Sequence, residues 1–250
     1  MSRLHLLISI ATVAWCGREI VFADAGDNQA HGDYVVLLHG MARSALSMKR
    51  LEWYLTKQGY RVLNVTYNSR TNSVEQLAQS YLGPLLLERI TDHSVKVHFV
   101  THSLGGVIVR EYLSKPVPEN IGRVVMLAPP NHGSELIDLL KAHRFTRCFL
   151  GASGLELGTT EFDAPNRLGP MPVDCGIIAG DCSLNPLSSH FLTGPNDGKV
   201  TVASAKVEGM RDFLVVHSTH TWIGWRRNNL KQIQSFLHSG RFMHESSNPI

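Results

Sequence analysis

Residues 95–113, V-K-V-H-F-V-T-H-S-L-G-G-V-I-V-R-E-Y-L, change hydrophobic period midway, and that change constrains the fold more than any other feature. Val95, Val97 and Phe99 alternate with Lys96 and His98, as in a partly buried strand. From Leu104 onward the apolar residues Leu104, Val107, Ile108 and Tyr112 recur at helical spacing. Between the two lies T-H-S-L-G-G, where Gly105 and Gly106 let a helix leave the strand abruptly and pack close to it. A serine at such a turn stands at the C-terminal edge of a sheet, with the positive end of a helix behind it. Ser103 is therefore the candidate nucleophile. Thr101 stands where a G-x-S-x-G motif has its first glycine, and its β-branch crowds the turn. The bland alternative is an ordinary strand-turn-helix in which Ser103 caps the helix.

The rest of the chain supplies a matching frame. Residues 34–38 are a near-continuous apolar run, as in a strand buried on both faces of a parallel sheet, and they end in His39-Gly40-Met41. Helix (44–58), strand (61–66), helix (74–90, kinked or split by Pro84), the Ser103 unit, strand (123–128) and helix (135–144) follow in alternation. Further strands fall at 176–180 and 213–217, with a last helix at 227–237 and a polar, loose tail after 239. This predicts an α/β domain: a mostly parallel sheet of about six strands with helices on both faces, over residues 32–240. Residues 145–172 break the rhythm, rich in Gly, Thr and Pro yet carrying Phe149, Leu150, Leu157 and Phe162. They read as a small cap insertion over the active face, or else as a packed excursion.

Composition narrows the function. The 250 residues fit one domain, and a formal charge of +3 with scattered basic residues gives no reason to expect nucleic acid. Arg3, an apolar run to Trp15 and the small residues around Ala23 resemble a secretory signal peptide over 1–23, so a secreted or periplasmic protein is expected. The alternative is an uncleaved N-terminus on a cytoplasmic protein. Cys148, Cys175 and Cys182 then remain. Cys175 and Cys182 bracket a strand too long to bridge, so any disulfide joins Cys148 to Cys182, the alternative being three thiols.

A serine hydroxyl needs a positioned base, and the base needs an acid. His220, in S-T-H-T-W beyond the last strand, is the candidate base; His217, at the strand end, is expected to point into packing. Asp197, in G-P-N-D-G-K-V, is the preferred acid over Asp181, because the order Ser, Asp, His fits a hydrolase. Asp174 belongs to the opposite edge. The backbone N–H groups of Met41 and Leu104 are placed to form an oxyanion hole. No zinc-type spacing and no complete phosphate loop occurs, so no cofactor and no catalytic metal is expected.

On the segments L-L-H-G-M, V-T-H-S-L-G-G, A-P-P-N-H-G-S, N-D-G-K-V and T-H-T-W, the chain resembles the α/β-hydrolases of the lipase and esterase branch. It is similar to compact bacterial lipases and to relatives of the GPI-inositol deacylases. The resemblance implies the triad Ser103, Asp197 and His220, the Met41/Leu104 oxyanion hole, and carboxylic ester hydrolysis through an acyl-enzyme. A small-molecule or lipid ester substrate is expected, with transient contact with a lipid surface allowed for and no obligate protein partner. Two alternatives stay open: an idle relative that binds an apolar ligand or a partner, and an acyltransferase using the same residues.

Overall fold

The computed structural model of the chain describes residues 32–116 and 118–244; the signal-peptide expectation lies outside them. Its centre is a six-stranded sheet in the order β2-β1-β3-β4-β5-β6, parallel throughout. The strands are β1 (Tyr34–Leu38), β2 (Arg61–Val65), β3 (Val97–His102), β4 (Ile121–Leu127), β5 (Cys175–Gly180) and β6 (Met210–Val216). β1, β3 and β5 are short and almost wholly buried because both their faces are covered, whereas the edge strand β6 has no fully buried residue. Val35, Leu37, Val100, Val125, Leu127 and Ile178 point to one layer, and Val36, Leu38, Phe99, Val124, Met126 and Ile177 to the other. That split follows the two-residue period of a strand.

Helices α1 (Lys49–Lys57) and α9 (Arg227–Ser239) cover the first layer through Leu51, Leu55, Leu230, Ile233 and Phe236. Helices α2 (Gly83–Arg89) and α3 (Leu104–Leu113) cover the second. A single π-helical stretch, Gln76–Leu82, precedes α2, and the change of winding falls next to Pro84, which has no N–H to donate. Phe99 is fully buried between sheet and α3, and truncation of such a side chain to alanine costs about 3–5 kcal/mol.

Residues 145–172, the expected insertion, carry helices of their own. After α4 (Glu135–Ala142) the chain continues as α5 (Arg144–Leu155), bent at Gly151, and then as the short α6 (Ala164–Arg167). Leu150 and Leu157 pack inward while Phe149 and Phe162 are exposed, so the insertion has its own amphipathic order despite its Gly-rich composition. The tail is not loose through residue 244: Phe242 is buried against Phe236 with ring centroids 5.0 Å apart, and its N–H donates to Asp212 Oδ2 at 2.7 Å.

The short helices α7 (Pro186–His190) and α8 (Val202–Ala205) flank the loop that carries Asp197. Cys148, Cys175 and Cys182 are all thiols, so the Cys148–Cys182 bridge does not form. Cys175 is buried in β5, where desolvation pushes its thiol up to about 12. Among the described residues, no helix is long and apolar enough to cross a membrane.

Candidate active site

Ser103 follows the central strand β3 directly and precedes α3, with φ 54° and ψ −122°. This is a conformation that side-chain-bearing residues rarely adopt, and it is held by Ser103 N–H donating to Leu127 O at 2.9 Å and by the packing of α3. The close approach depends on Gly105. A Cβ there would lie 2.7 Å from Leu38 O and 2.9 Å from Leu38 Cβ. The Ser103 side chain makes no capping hydrogen bond, so the cap alternative has no support. Thr101 is fully buried beneath the turn.

The loops after β5 and β6 bring the acid and base together. Asp197 Oδ2 accepts from His220 Nδ1 at 2.8 Å, and both side chains are almost fully buried. The other carboxylate oxygen, Oδ1, accepts the N–H groups of Lys199 at 2.9 Å and Val200 at 2.8 Å, which fixes its plane. His220 N–H also donates to Asp197 O at 3.1 Å. Gly180, at the end of β5, makes room for this: a Cβ there would meet Ser218 O at 2.3 Å and Asp197 Cβ at 3.0 Å. With Nδ1–H given to Asp197, His220 keeps Nε2 as its basic nitrogen.

The rivals pair with each other instead. His217 Nδ1 lies 3.0 Å from Asp181 Oδ1, and the His217 side chain is 79% exposed. The expectation that His217 points into packing is therefore wrong: β6 is an edge strand, and the residue that follows it turns outward. Asp174 lies at the opposite edge of the sheet, bound by Arg211 at 2.8 Å.

Ser103 and His220 line one cavity of about 130 Å³, together with Gly40, Met41, His102 and an apolar wall of Leu136, Ile137, Leu140, Leu157 and Val200. The structure brings Ser103 and His220 to this cavity, with Asp197 behind His220, but does not join Ser103 to His220: among the described residues no hydrogen bond links them. In unliganded sites such bonds are often loose and tighten with substrate.

Of the two residues whose amides are expected to hold an oxyanion, Met41 lines the cavity and Leu104 directly follows Ser103, which also lines it. Leu104 opens α3, where first-turn N–H groups have no partner within the helix. Met41 follows the His39-Gly40 turn, which is clamped from below. His39 stacks on Tyr67 at 4.0 Å, donates from Nδ1 to Gly40 O at 2.8 Å, and accepts Tyr67 N–H at Nε2. The Tyr67 hydroxyl donates to His39 O. Burial lowers the His39 pKa to about 4, so the ring is neutral, as both bonds require. Ala42 N–H donates to Ser69 Oγ at 2.9 Å, which holds the far side of the turn.

Sequence reasoning missed several residues that shape the site. His102 donates from Nε2 to His220 O at 2.9 Å, and its ring lies 4.9 Å from that of His220. Desolvation, reinforced by the proximity of His220, lowers its pKa to about 3, so it acts as a neutral donor. Its position next to the serine was the available signal. Tyr67, Arg43 and Lys199 carried none, since their roles depend on where loops from distant strands converge.

No family model matches the chain, and no curated protein does. Solved structures do. The lipase BlEst2 of Bacillus licheniformis, in mature form, shares 17% identity over 89% of this chain and 97% of its own, with a TM-score of 0.67. A lipase-esterase related protein from Clostridium acetobutylicum shares 13% identity over 84% of this chain and 96% of its own, at 0.54. The metagenomic carboxyl esterase MGS0156 shares 20% over 82% of this chain and 68% of its own, at 0.53. These likenesses show the fold alone, and it is the α/β-hydrolase fold.

Proposed function

We propose that the protein is a serine hydrolase that cleaves carboxylic esters, with lipid or other acyl esters as the substrate class. Ser103 is the nucleophile, His220 the general base and Asp197 the residue that orients it. The observation that carries the reading is the buried Asp197–His220 hydrogen bond, opening onto the same cavity as a serine held in a strained turn.

The chemistry follows from the geometry. His220 Nε2 takes the proton of Ser103 as its oxygen attacks the ester carbonyl, and Asp197 steadies the imidazolium that forms. Negative charge then develops on the carbonyl oxygen, and the N–H groups of Met41 and Leu104 receive it. Loss of one such donor typically costs about 10²–10³ in rate. Collapse expels the alcohol with the proton from His220, and water repeats the sequence on the acyl-enzyme. The leucines and isoleucine of the α4 wall suit an apolar acyl chain. Leu46, Leu184, Leu187 and Trp222, which follow the C-terminal ends of β1, β5 and β6, are exposed near the same edge and suit contact with a lipid surface.

Ser103→Ala is expected to remove turnover of p-nitrophenyl esters, by about 10⁶ in kcat where triad members act as a unit, while leaving the circular dichroism spectrum unchanged. Undiminished turnover would end the assignment. A second reading, a non-catalytic relative that binds an apolar ligand, draws on the missing Ser103–His220 hydrogen bond. A wild-type protein that fails to turn over any ester and resists acylating inhibitors would favour it. Transfer of the acyl group to an alcohol instead of water uses the same residues, and product analysis in the presence of glycerol separates the two.

A further inference from the structure

Two cations border the Ser103 cavity, and the hydrolysis of a neutral ester has no use for them. Arg43, beyond the Met41 turn, and Lys199, two residues after Asp197, both line it. Neither has a carboxylate within 4.0 Å among the described residues. Arg43 is held instead by a neutral contact, Nη2 to Thr221 Oγ1 at 3.4 Å. Asp197 is the acid whose field reaches Lys199, but its two oxygens are already engaged by His220 and by the backbone. Lys199 is exposed along much of its length, yet its ammonium end is crowded. Burial lowers its pKa, and the Arg43 charge lowers it further.

The arrangement is unfavourable on its own terms. Like charges repel, and both also bear on His102, the ring in contact with the base. The two charges therefore oppose each other beside the substrate cavity, with no carboxylate contact to offset them. A negative group bound between them would remove that opposition. Their place in the chain says which part of the substrate carries it. Lys199 sits on the Asp197 loop, and Arg43 is tied to Thr221, the residue after His220. Both are thus tied to the loops that carry the acid and the base, and His220 is the group that protonates the departing alcohol, whereas the apolar α4 wall suits the acyl chain.

We infer that Arg43 and Lys199 form an anion subsite for the alcohol portion of the ester, so that the preferred substrate is an acyl ester whose alcohol bears a phosphate group. This rests on the serine hydrolase reading and names its substrate class. A phosphate offers several acceptor oxygens to a guanidinium and an ammonium at once.

The test compares two esters that differ only in that group, monobutyryl glycerol 3-phosphate and monobutyryl glycerol. The wild type is expected to favour the phosphorylated ester by about tenfold in kcat/KM at low salt, and less at 0.5 M NaCl, as for partly exposed charge pairs. The double variant Arg43→Met, Lys199→Met is expected to bring the ratio near one, and Arg43→Lys, Lys199→Arg to keep most of it. Lys199 meets Asp197 and Ser134 only through its backbone, so these changes leave that framework in place. Equal kcat/KM for the two esters in the wild type would overturn the subsite while leaving the hydrolase reading intact. A ratio unchanged in the double variant would do the same. A double variant that loses both esters equally would assign the cations to the oxyanion and not to the substrate.

Calorimetric titration of the Ser103→Ala protein with glycerol 3-phosphate needs no turnover. Binding that weakens about tenfold in the added double variant supports the subsite even if neither ester is cleaved, and absence of binding overturns it. Inorganic phosphate binding as tightly as glycerol 3-phosphate would indicate a site for the free ion and likewise overturn the assignment to substrate.

Discussion

Replacement of Ser103 by glycine is expected to make the protein more stable and inactive. At φ 54° and ψ −122° a residue with a Cβ carries a backbone penalty on the order of 1–3 kcal/mol. Glycine adopts this region freely but adds roughly 0.5–1 kcal/mol of unfolded-state entropy. The difference leaves glycine ahead by about 1 kcal/mol. Ser103→Ala is the proper comparison, because both variants lack the hydroxyl and only one keeps the Cβ; no capping bond from Ser103 complicates it. Urea unfolding at constant m-value gives the two free energies. For a chain of this size 1 kcal/mol corresponds to about 2–4 °C in Tm. Glycine no more stable than alanine would refute the idea that the fold holds its serine under strain.

Three other outcomes follow from the same geometry. Gly105→Ala drives a methyl group into the Leu38 carbonyl at 2.7 Å and is expected to destabilise by about 2–3 kcal/mol, seen in the same urea titrations. Asp197→Asn is expected to lower kcat by about 10³–10⁴ by permitting the wrong tautomer, whereas Asp181→Asn, which touches only the exposed His217, stays within a few-fold. His39 has a folded pKa of about 4 against 6.5 in the unfolded chain, so the unfolded state takes up protons first as pH falls. Its contribution is present above pH 6.5 and lost towards pH 4, up to about 3 kcal/mol. His39→Gln should flatten the Tm profile over that window.

The order of strands and helices was legible in the sequence because parallel strands buried on both faces read as uninterrupted apolar runs, and 34–38 and 175–180 are such runs. The serine turn was legible because the period changes there and two glycines mark the tight packing. Asp197 and His220 were legible only as residues on the right loops; their contact depends on Gly180 and on the turn at 196–200, which no periodicity encodes. The helices of the insertion were not legible, because glycine or proline at seven of its 28 positions interrupts any period. Its helices are held by tertiary contacts, among them Ser153 Oγ donating to Ser69 O at 2.7 Å and the Met41 side chain packed over Gly154. His217 was not legible because it follows an edge strand, where it turns outward to Asp181 and not into the core. His102 was passed over because a histidine beside a nucleophile looks like one more motif letter. Its role as donor to His220 O needs the fold of the β6 loop back across the sheet.

The catalytic assignment rests finally on which atom reacts. A fluorophosphonate incubated with the wild-type protein, followed by proteolysis and mass spectrometry, reports that directly. Modification of a single site at Ser103, lost in His220→Ala, is the expected result. A protein that stays unlabelled, or that is labelled at another residue, would contradict it.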